Sequence, residues 1–376
     1  MKEENGMMKL QRLVISCGGT GGHFYPGLSI ARRFQERGGG VLLLLSGIHA
    51  RNQCETASRY GVAAVALPQM PHYRRHPLLF LRGLIGGYFA ARREIRNFSP
   101  QAMLGMGSFA ALPVVRAAVS CRIPLFLHDG NARIGKGNRF FSRWAEFAGS
   151  AFPAVNSEKC RCPVFECGMP LRPELSAGLI ADKAGALDAV NKEFGTGFQA
   201  AQPVFLVTGG SQGAAVFNRI LPQAFLRCHG KFQVIHLAGK GKADEAAAIY
   251  QNAEFPYLLL ESTEKMAQMM MAADVVFSRS GGSTLAELSF FGKPAVLIPY
   301  PYAAEGHQMD NARYFAGQEA AVVVENSAFD VEKALELLDD ALNDREKWQI
   351  MGKNMQRLSR SDASDVMIDK ISEQLN

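Results

Sequence analysis

The sequence has no apolar run long enough to cross a bilayer. Its nearest approach, Leu78 to Ala91, is broken by Arg82 and by glycines, whereas a spanning helix needs about 20 apolar residues. The opening stretch, MKEENGMMKLQRLVIS, carries acidic residues where an export signal would be basic. No apolar segment with a small-residue cleavage site follows, so the expectation is a chain without an export signal. Strong charge is also missing. A net charge of +6 over 376 residues gives no case for nucleic acid, and suits anionic small ligands or an anionic membrane surface. The seven cysteines form no even framework, so reduced thiols of the cytoplasm are expected. Cys160, Cys162 and Cys167 match no zinc spacing and have no histidine beside them. No Asp-x-Asp lies on a plausible site loop, since the acidic pairs near Asp339 and Asp362 fall in charged C-terminal stretches. No cofactor and no protein-held metal are expected, although Mg²⁺ could accompany diphosphates in solution.

What the sequence does contain is a regular alternation of short apolar runs with amphipathic stretches. The first series of expected strands is Leu13–Cys17, Val41–Ser46, Val62–Leu67, Ala102–Met106, Pro124–His128 and Phe147–Ala151. The second is Val204–Thr208, Phe232–Leu237, Tyr257–Leu260, Val275–Ser278, Ala295–Ile298 and Ala321–Val324. Continuously apolar strands separated by helical patterns are buried on both faces, as in parallel α/β sheets. The reading is an α/β chain of two Rossmann-like domains, each a sheet of about six strands covered by helices. The expected domains are 1–168 and 169–354, with a hinge near Gly168–Arg172. A C-terminal helix from about 355 is available to pack back on the first domain.

The halves echo each other. One opens with a strand running into Gly18-Gly19-Thr20-Gly21-Gly22, the other with a strand running into Gly209-Gly210-Ser211-Gln212-Gly213-Ala214. A strand that breaks into glycines before a helix aims backbone N–H groups and the helix dipole at one point, which suits phosphate. A ligand-free tight turn has the same pattern, but two matched loops at the ends of first strands fit ligand sites of open α/β sheets. The first loop fails the dinucleotide fingerprint, because the third glycine position is Phe24. A near P-loop at Gly130-Asn131-Ala132-Arg133-Ile134-Gly135-Lys136-Gly137 ends in a residue that cannot hold Mg²⁺.

The most informative segment is Ser278-Arg279-Ser280-Gly281-Gly282-Ser283-Thr284-Leu285-Ala286-Glu287. Its glycines and hydroxyls suit a diphosphate. Glu287, in the first turns of the helix, suits the two hydroxyls of a ribose or, alternatively, the helix's own N-terminal amides. Polar residues clustered in the loop from Pro299 to Gln308 extend the candidate site.

GGTGGHFYPGLSIA (Gly18 to Ala31), LGMGSFAALP (Leu104 to Pro113), VTGGSQGAAVFN (Val207 to Asn218) and SRSGGSTLAELSFFGKPAVLIPYPYAAEGHQMDNA (Ser278 to Ala312) together resemble the bacterial N-acetylglucosaminyltransferases of peptidoglycan synthesis. These belong to glycosyltransferase family 28. The resemblance covers most of the chain. It implies a GT-B fold, with two domains facing across a cleft. It also implies inverting transfer of N-acetylglucosamine from UDP-N-acetylglucosamine to the muramoyl 4-hydroxyl of lipid I, giving lipid II. Such a reaction needs a base for the acceptor hydroxyl and positive character around the departing UDP. The family's donor site carries over to Thr20, Gly21, Gly22, Asn131, Arg172, Ser211 and Thr263. It continues through Gly282, Ser283, Thr284, Leu285, Ala286, Glu287 and Gln308. His23 is similar to the family's candidate base, and bracing of its loop is the other reading. His128 and Asp129 are second candidates. This chain has His128-Asp129-Gly130-Asn131 where the family usually has His-Glu-Gln-Asn.

A lipid acceptor implies the cytoplasmic face of the plasma membrane and a neighbourhood of other cell-wall synthesis proteins. Leu78, Leu79 and Phe80 with Arg74, Arg75 and Arg82 form the expected membrane face. Leu81, Leu84, Ile85, Tyr88 and Phe89 recur at helical spacing and are expected in the core. Three rivals remain at this point: another GT-B glycolipid transferase, a nucleotide-sugar epimerase, and a nucleotide-sugar-binding protein without catalysis.

Overall fold

The computed structural model describes residues 10–19, 21–69, 77–177, 182–210 and 213–376. The chain divides into two compact units. The first comprises Met1–Pro173 and Arg360–Asn376, the second Glu174–Ser359. The sequence-predicted positions Thr20, Arg74, Arg75 and Ser211 lie outside the described residues.

In the first unit, β1 (Arg12–Gly18), β2 (Gly40–Ser46), β3 (Ala64–Ala66), β4 (Ala102–Gly105), β5 (Leu125–Asp129), β6 (Ala145–Ser150) and β7 (Val164–Glu166) form one sheet. All pairings are parallel and the order is β3-β2-β1-β4-β5-β6-β7. The sheet has one strand more than expected. β7 is three residues between Cys162 and Cys167, too short to stand out as an apolar run. Cysteines 160, 162 and 167 are free thiols, and Cys167 is packed so closely that a Cβ on Gly149 would meet its Sγ at 2.6 Å. Apolar strand residues such as Leu13, Ile15 and Leu43 point to one face, and Val14, Leu44 and Met103 to the other. Burial of both faces is what makes the runs continuous rather than alternating.

The C-terminal segment contains two helices. Arg345–Arg357 buries Trp348 and Met351 in the second unit. Ala363–Leu375 places Met367, Ile368 and Ile371 in the core of the first unit, against Ile15 and Leu28. Arg33, on the helix Gly21–Glu36, donates from Nε to both oxygens of Asp365 at 2.9 and 3.0 Å. Arg37 adds a second contact to Asp365. These ion pairs are half-exposed and set register more than stability.

The second unit repeats the plan. β8 (Val204–Thr208), β9 (Gln233–Leu237), β10 (Tyr257–Leu260), β11 (Val275–Ser278), β12 (Ala295–Leu297) and β13 (Ala321–Val323) are parallel in the order β10-β9-β8-β11-β12-β13. Phenylalanines 205, 217, 225, 232 and 277 fill one side of this sheet.

One expectation is reversed. The helix Pro77–Phe98 buries Gly83, Gly87, Ala91 and Ile95, not the large apolar residues. Leu81 and Ile85 are each 50% exposed and Phe89 60%. The small stripe allows close approach, since a Cβ on Gly87 would lie 3.2 Å from Pro113. Helical spacing identifies a face, but it does not say which of two apolar faces turns inward. Among the described residues no helix is long and apolar enough to cross a membrane.

The packing of the last helix is open to a direct check. Ile371 is fully buried, so Ile371→Ala is expected to destabilise the first unit by roughly 2–5 kcal/mol. An unchanged denaturation midpoint in urea would contradict this placement.

Candidate functional site

Each unit brings its chemistry to the point where strand order reverses. In the first sheet β2 and β4 flank β1, and in the second β9 and β11 flank β8. Loops leaving the C-terminal ends of such central strands diverge to opposite sides and leave a crevice, the usual ligand site of open α/β sheets.

At the first crevice Gly18 ends β1 with φ +127, and a Cβ there would sit 2.5 Å from Ser46 O. Only glycine fits. The next helix, Gly21–Glu36, carries His23 as its third residue. The His23 ring lies against Gly107, beyond β4. A Cβ on Gly107 would be 3.2 Å from His23 Cδ2, 3.3 Å from Nε2 and 3.4 Å from Asn138 Nδ2. Ser108 follows with φ 70, a left-handed value that costs a side chain of this kind about 1–3 kcal/mol and is typical of functional loops. Arg172 holds its guanidinium 5.0 Å above the Tyr25 ring, on the same helix as His23. Gly21, Gly22, His23, Asn131 and Arg172 are thus residues of the first unit.

His128 and Asp129, the second candidates for a base, occupy a different position. His128 is 1% exposed, its Nε2 is 3.0 Å from Gly168 O, and burial lowers its pKa. Asp129 accepts from Asn131 Nδ2 at 3.3 Å, from Gly135 N at 2.8 Å and from Asn138 Nδ2 at 3.0 Å. A carboxylate so engaged braces the loop Gly130–Gly137 instead of receiving a substrate proton. It also explains why the near P-loop is not one: Asp129 already takes the N–H at the start of the helix Lys136–Phe141. Asn138 was missed from the sequence. Its one signal was an amide side chain in the first turn of the short helix Lys136–Phe141.

At the second crevice Gly213 has φ +65, and a Cβ there would meet Ala238 O at 2.3 Å. The neighbouring backbone is fixed by a buried chain of hydrogen bonds. Asn218 Nδ2 donates to Ala238 O at 3.1 Å and to Lys242 O at 2.8 Å. Its Oδ1 pairs with His236 Nε2 at 3.0 Å, and His236 Nδ1 pairs with Tyr250 Oη at 3.0 Å. Every polar atom of this chain is satisfied if Nε2 carries the proton and Tyr250 donates to Nδ1.

Across the crevice, Ser280 Oγ donates to Gln308 O at 2.8 Å and Asn311 Nδ2 to Ser280 O at 3.0 Å. These bonds fix the start of the helix Gly282–Phe291. No side chain caps its first turn. The Ser283 hydroxyl is buried and accepts or donates no hydrogen bond, and Glu287 is 2% exposed. Thr284 and Ala286 are partly accessible, whereas Leu285 is wholly buried with its N–H bonded to Gly281 O. Leu285 therefore belongs to the core rather than to a ligand contact. Gln308 accepts the Tyr300 N–H on Oε1 at 2.9 Å. Arg279 is consumed by Ile298 O, Pro299 O and Asn326 Oδ1, and lies 5.0 Å from the Phe217 ring centre. Thr263 is half-buried in the loop after β10, where its hydroxyl accepts from Lys265 N at 2.9 Å.

The chain matches the glycosyltransferase family 28 N-terminal domain over residues 13–150 and the family 28 C-terminal domain over residues 204–367. A Chlamydia trachomatis serovar D protein is 35% identical over 316 residues, covering 82% of this chain and 83% of its own. A Desulforamulus reducens protein is 32% identical over 380 residues, covering 96% and 98%. Both carry the name UDP-N-acetylglucosamine--N-acetylmuramyl-(pentapeptide) pyrophosphoryl-undecaprenol N-acetylglucosamine transferase. Among solved structures, Acinetobacter baumannii MurG aligns with a TM-score of 0.75 at 24% identity, covering 96% of this chain and 99% of that one. A UDP-GlcNAc 2-epimerase from Neisseria meningitidis aligns at 0.68 with 12% identity, covering 96% and 100%. The shared fold is thus compatible with more than one reaction, and the sequence relatives carry the discrimination.

The network under the second loop has a pH signature. Burial lowers the His236 pKa from 6.5 to about 3. The unfolded chain then binds that proton more tightly than the folded one. Stability is undiminished above about pH 6.5 and declines as the pH falls from there towards 3. Thermal melting should show this acid limb, and His236→Gln, uncharged throughout, should flatten it. An equally steep limb in the variant would contradict the neutral, buried imidazole.

Proposed function

The chain belongs to glycosyltransferase family 28, and we propose that it transfers N-acetylglucosamine from UDP-N-acetylglucosamine to a muramoyl pentapeptide carried on undecaprenyl diphosphate. The relatives that align over most of its length bear that activity in their names. The observation that carries the reading to particular residues is the second crevice. There Gly213 leaves no room for a side chain, and the helix start after β11 has no side-chain cap and holds Glu287 five residues in.

In this reading the second unit holds the donor. Backbone N–H groups of the loop beginning at Gly209, with Ser211, and the first turn Gly282–Thr284 take the diphosphate. Glu287 accepts the ribose hydroxyls. Gln308, whose carbonyl oxygen is used by Tyr300, keeps its NH₂ for sugar hydroxyls. Thr263 and Ala286 line the same side. The first unit holds the acceptor. Thr20, Gly21 and Gly22 give backbone donors to its diphosphate.

The acceptor 4-hydroxyl attacks the anomeric carbon as the bond to UDP breaks, and configuration inverts. His23 Nε2 takes the hydroxyl proton. Gly107 packs against the ring, while His128, Asp129 and Asn138 hold the loop that bears Asn131. UDP leaves as an anion stabilised by the loop amides, with no protein-held metal.

Two substitutions separate these roles. Glu287→Ala is expected to raise the donor KM by tenfold or more while the fold survives, as loss of a buried charge-assisted hydrogen bond costs about 1.5–3 kcal/mol. His23→Ala is expected to lower kcat by about 10²- to 10⁴-fold with donor affinity kept. A near-normal donor KM in the first, or a near-normal kcat in the second, would refute the assignment.

The same reading places the protein on the membrane as a peripheral enzyme. Leu78 is 82% exposed and Leu79 51%, beside Arg82. Replacing Leu78, Leu79 and Phe80 by Ser should weaken binding to anionic liposomes and spare transfer to a water-soluble acceptor. Unchanged liposome binding would contradict it.

A further inference from the structure

We propose that Lys240, in the turn after β9, is a further binding residue for the donor, its ammonium pairing with the diphosphate of UDP. This rests on the second unit being the one that holds the donor. The segment Ser278–Glu287 contains one cation, Arg279, and its guanidinium is spent on Ile298 O, Pro299 O and Asn326 Oδ1. Backbone amides and hydroxyls alone would then face a departing diphosphate, whose charge is better stabilised with a cation beside them.

The turn is placed by the close contact that shapes the second glycine loop. A Cβ on Gly213 would lie 2.3 Å from Ala238 O and 2.7 Å from Gly239 Cα. The chain leaving β9 therefore runs directly against the loop leaving β8. Gly239 N donates to Glu261 O at 3.0 Å. Asn218 Nδ2 donates to Ala238 O at 3.1 Å and to Lys242 O at 2.8 Å. Lys242 N closes the turn on Gly239 O at 3.0 Å, with Gly241 at φ +68 as its third residue. A left-handed third residue calls for glycine. Lys240 is the second residue of this fixed turn.

Lys240 is exposed and, among the described residues, makes no side-chain hydrogen bond or ion pair. Asp244 and Glu245 stand in the first turn of the next helix and Glu261 follows β10, yet none of them claims it. Neighbouring Cα atoms are about 3.8 Å apart, and a lysine stem carries its ammonium about 6 Å from its own Cα. Adding a charged hydrogen bond of about 2.8 Å, Lys240 reaches a ligand oxygen held at Gly213.

Position, not overall charge, makes the contact specific. Lys240 and Lys242 are opposed by Asp244 and Glu245, so the segment is neutral as a whole and not a general anion patch. A lysine ammonium is a compact point charge on a flexible stem, and needs no planar match to follow an oxyanion. The rigid turn sets where the stem begins, and the stem does the rest.

Calorimetric titration with UDP tests this without turnover. Lys240→Met keeps the stem and removes the charge. It should weaken UDP binding by about fivefold to tenfold, between the effects of an exposed ion pair and of a charge-assisted hydrogen bond. Lys240→Arg should stay within about threefold of the wild type. Uridine, which has no phosphate, should bind the wild type and Lys240→Met equally. Lys231, also exposed, precedes β9 at the strand's other end, roughly 17 Å of strand away. Lys231→Met removes the same charge beyond the screening length of about 8 Å at physiological salt, and should leave UDP affinity unchanged. Equal UDP affinity in wild type and Lys240→Met, an equal loss in Lys231→Met, or an equal loss for uridine would overturn the proposal. If the wild type binds no UDP, the donor reading falls and this proposal with it. If Glu287→Ala weakens UDP binding and Lys240→Met does not, this proposal alone falls.

Discussion

Two close backbone contacts govern the molecule. At Gly18 and at Gly213 the chain passes so near a carbonyl of the adjacent strand or loop, Ser46 O or Ala238 O, that no side chain fits. Each contact sits where strand order reverses, and a helix begins within three residues of it, at Gly21 and at Ala215. The chemistry of both units is built around these points. Parallel strands, buried on both faces, provide the rigid base on which the bare loops can be held.

Although the loops share a plan, their surroundings differ. Around the first, the structure converges on an imidazole: Gly107 supports His23, and Asp129 with Asn138 ties down the next loop. Around the second they converge on a helix start and a carboxylate, with a buried Tyr250–His236–Asn218 chain holding the backbone behind the glycines. One arrangement suits proton removal beside an anion. The other suits holding a nucleoside diphosphate. That division is what a sugar transfer between two substrates requires.

Much of this was legible in the sequence. β8, β10 and β11 fall on the expected residues, because four- and five-residue apolar runs beside turn signals have few alternatives. β7 was not legible, being three residues among cysteines. The helix Pro77–Phe98 was found, but its inward face was misjudged, since two apolar faces at the same spacing differ only in what they pack against. The roles of His128 and Asp129 depended on partners such as Gly168 and Asn138, forty and nine residues away, which local pattern does not reveal. Arg279, in the same segment as the glycines, shows how local that limit is: three oxygens of its own unit claim its guanidinium.

The fold is shared by transferases and an epimerase, so the product decides between them. The direct measurement is to incubate the protein with UDP-N-acetylglucosamine labelled in the sugar and a lipid-linked muramoyl pentapeptide. The anomeric configuration of any new linkage is then assigned by NMR. The account predicts a single β-linked disaccharide on the lipid, with label passing from donor to acceptor. An α-linked product, a free epimer of the sugar, or donor bound without turnover would contradict it.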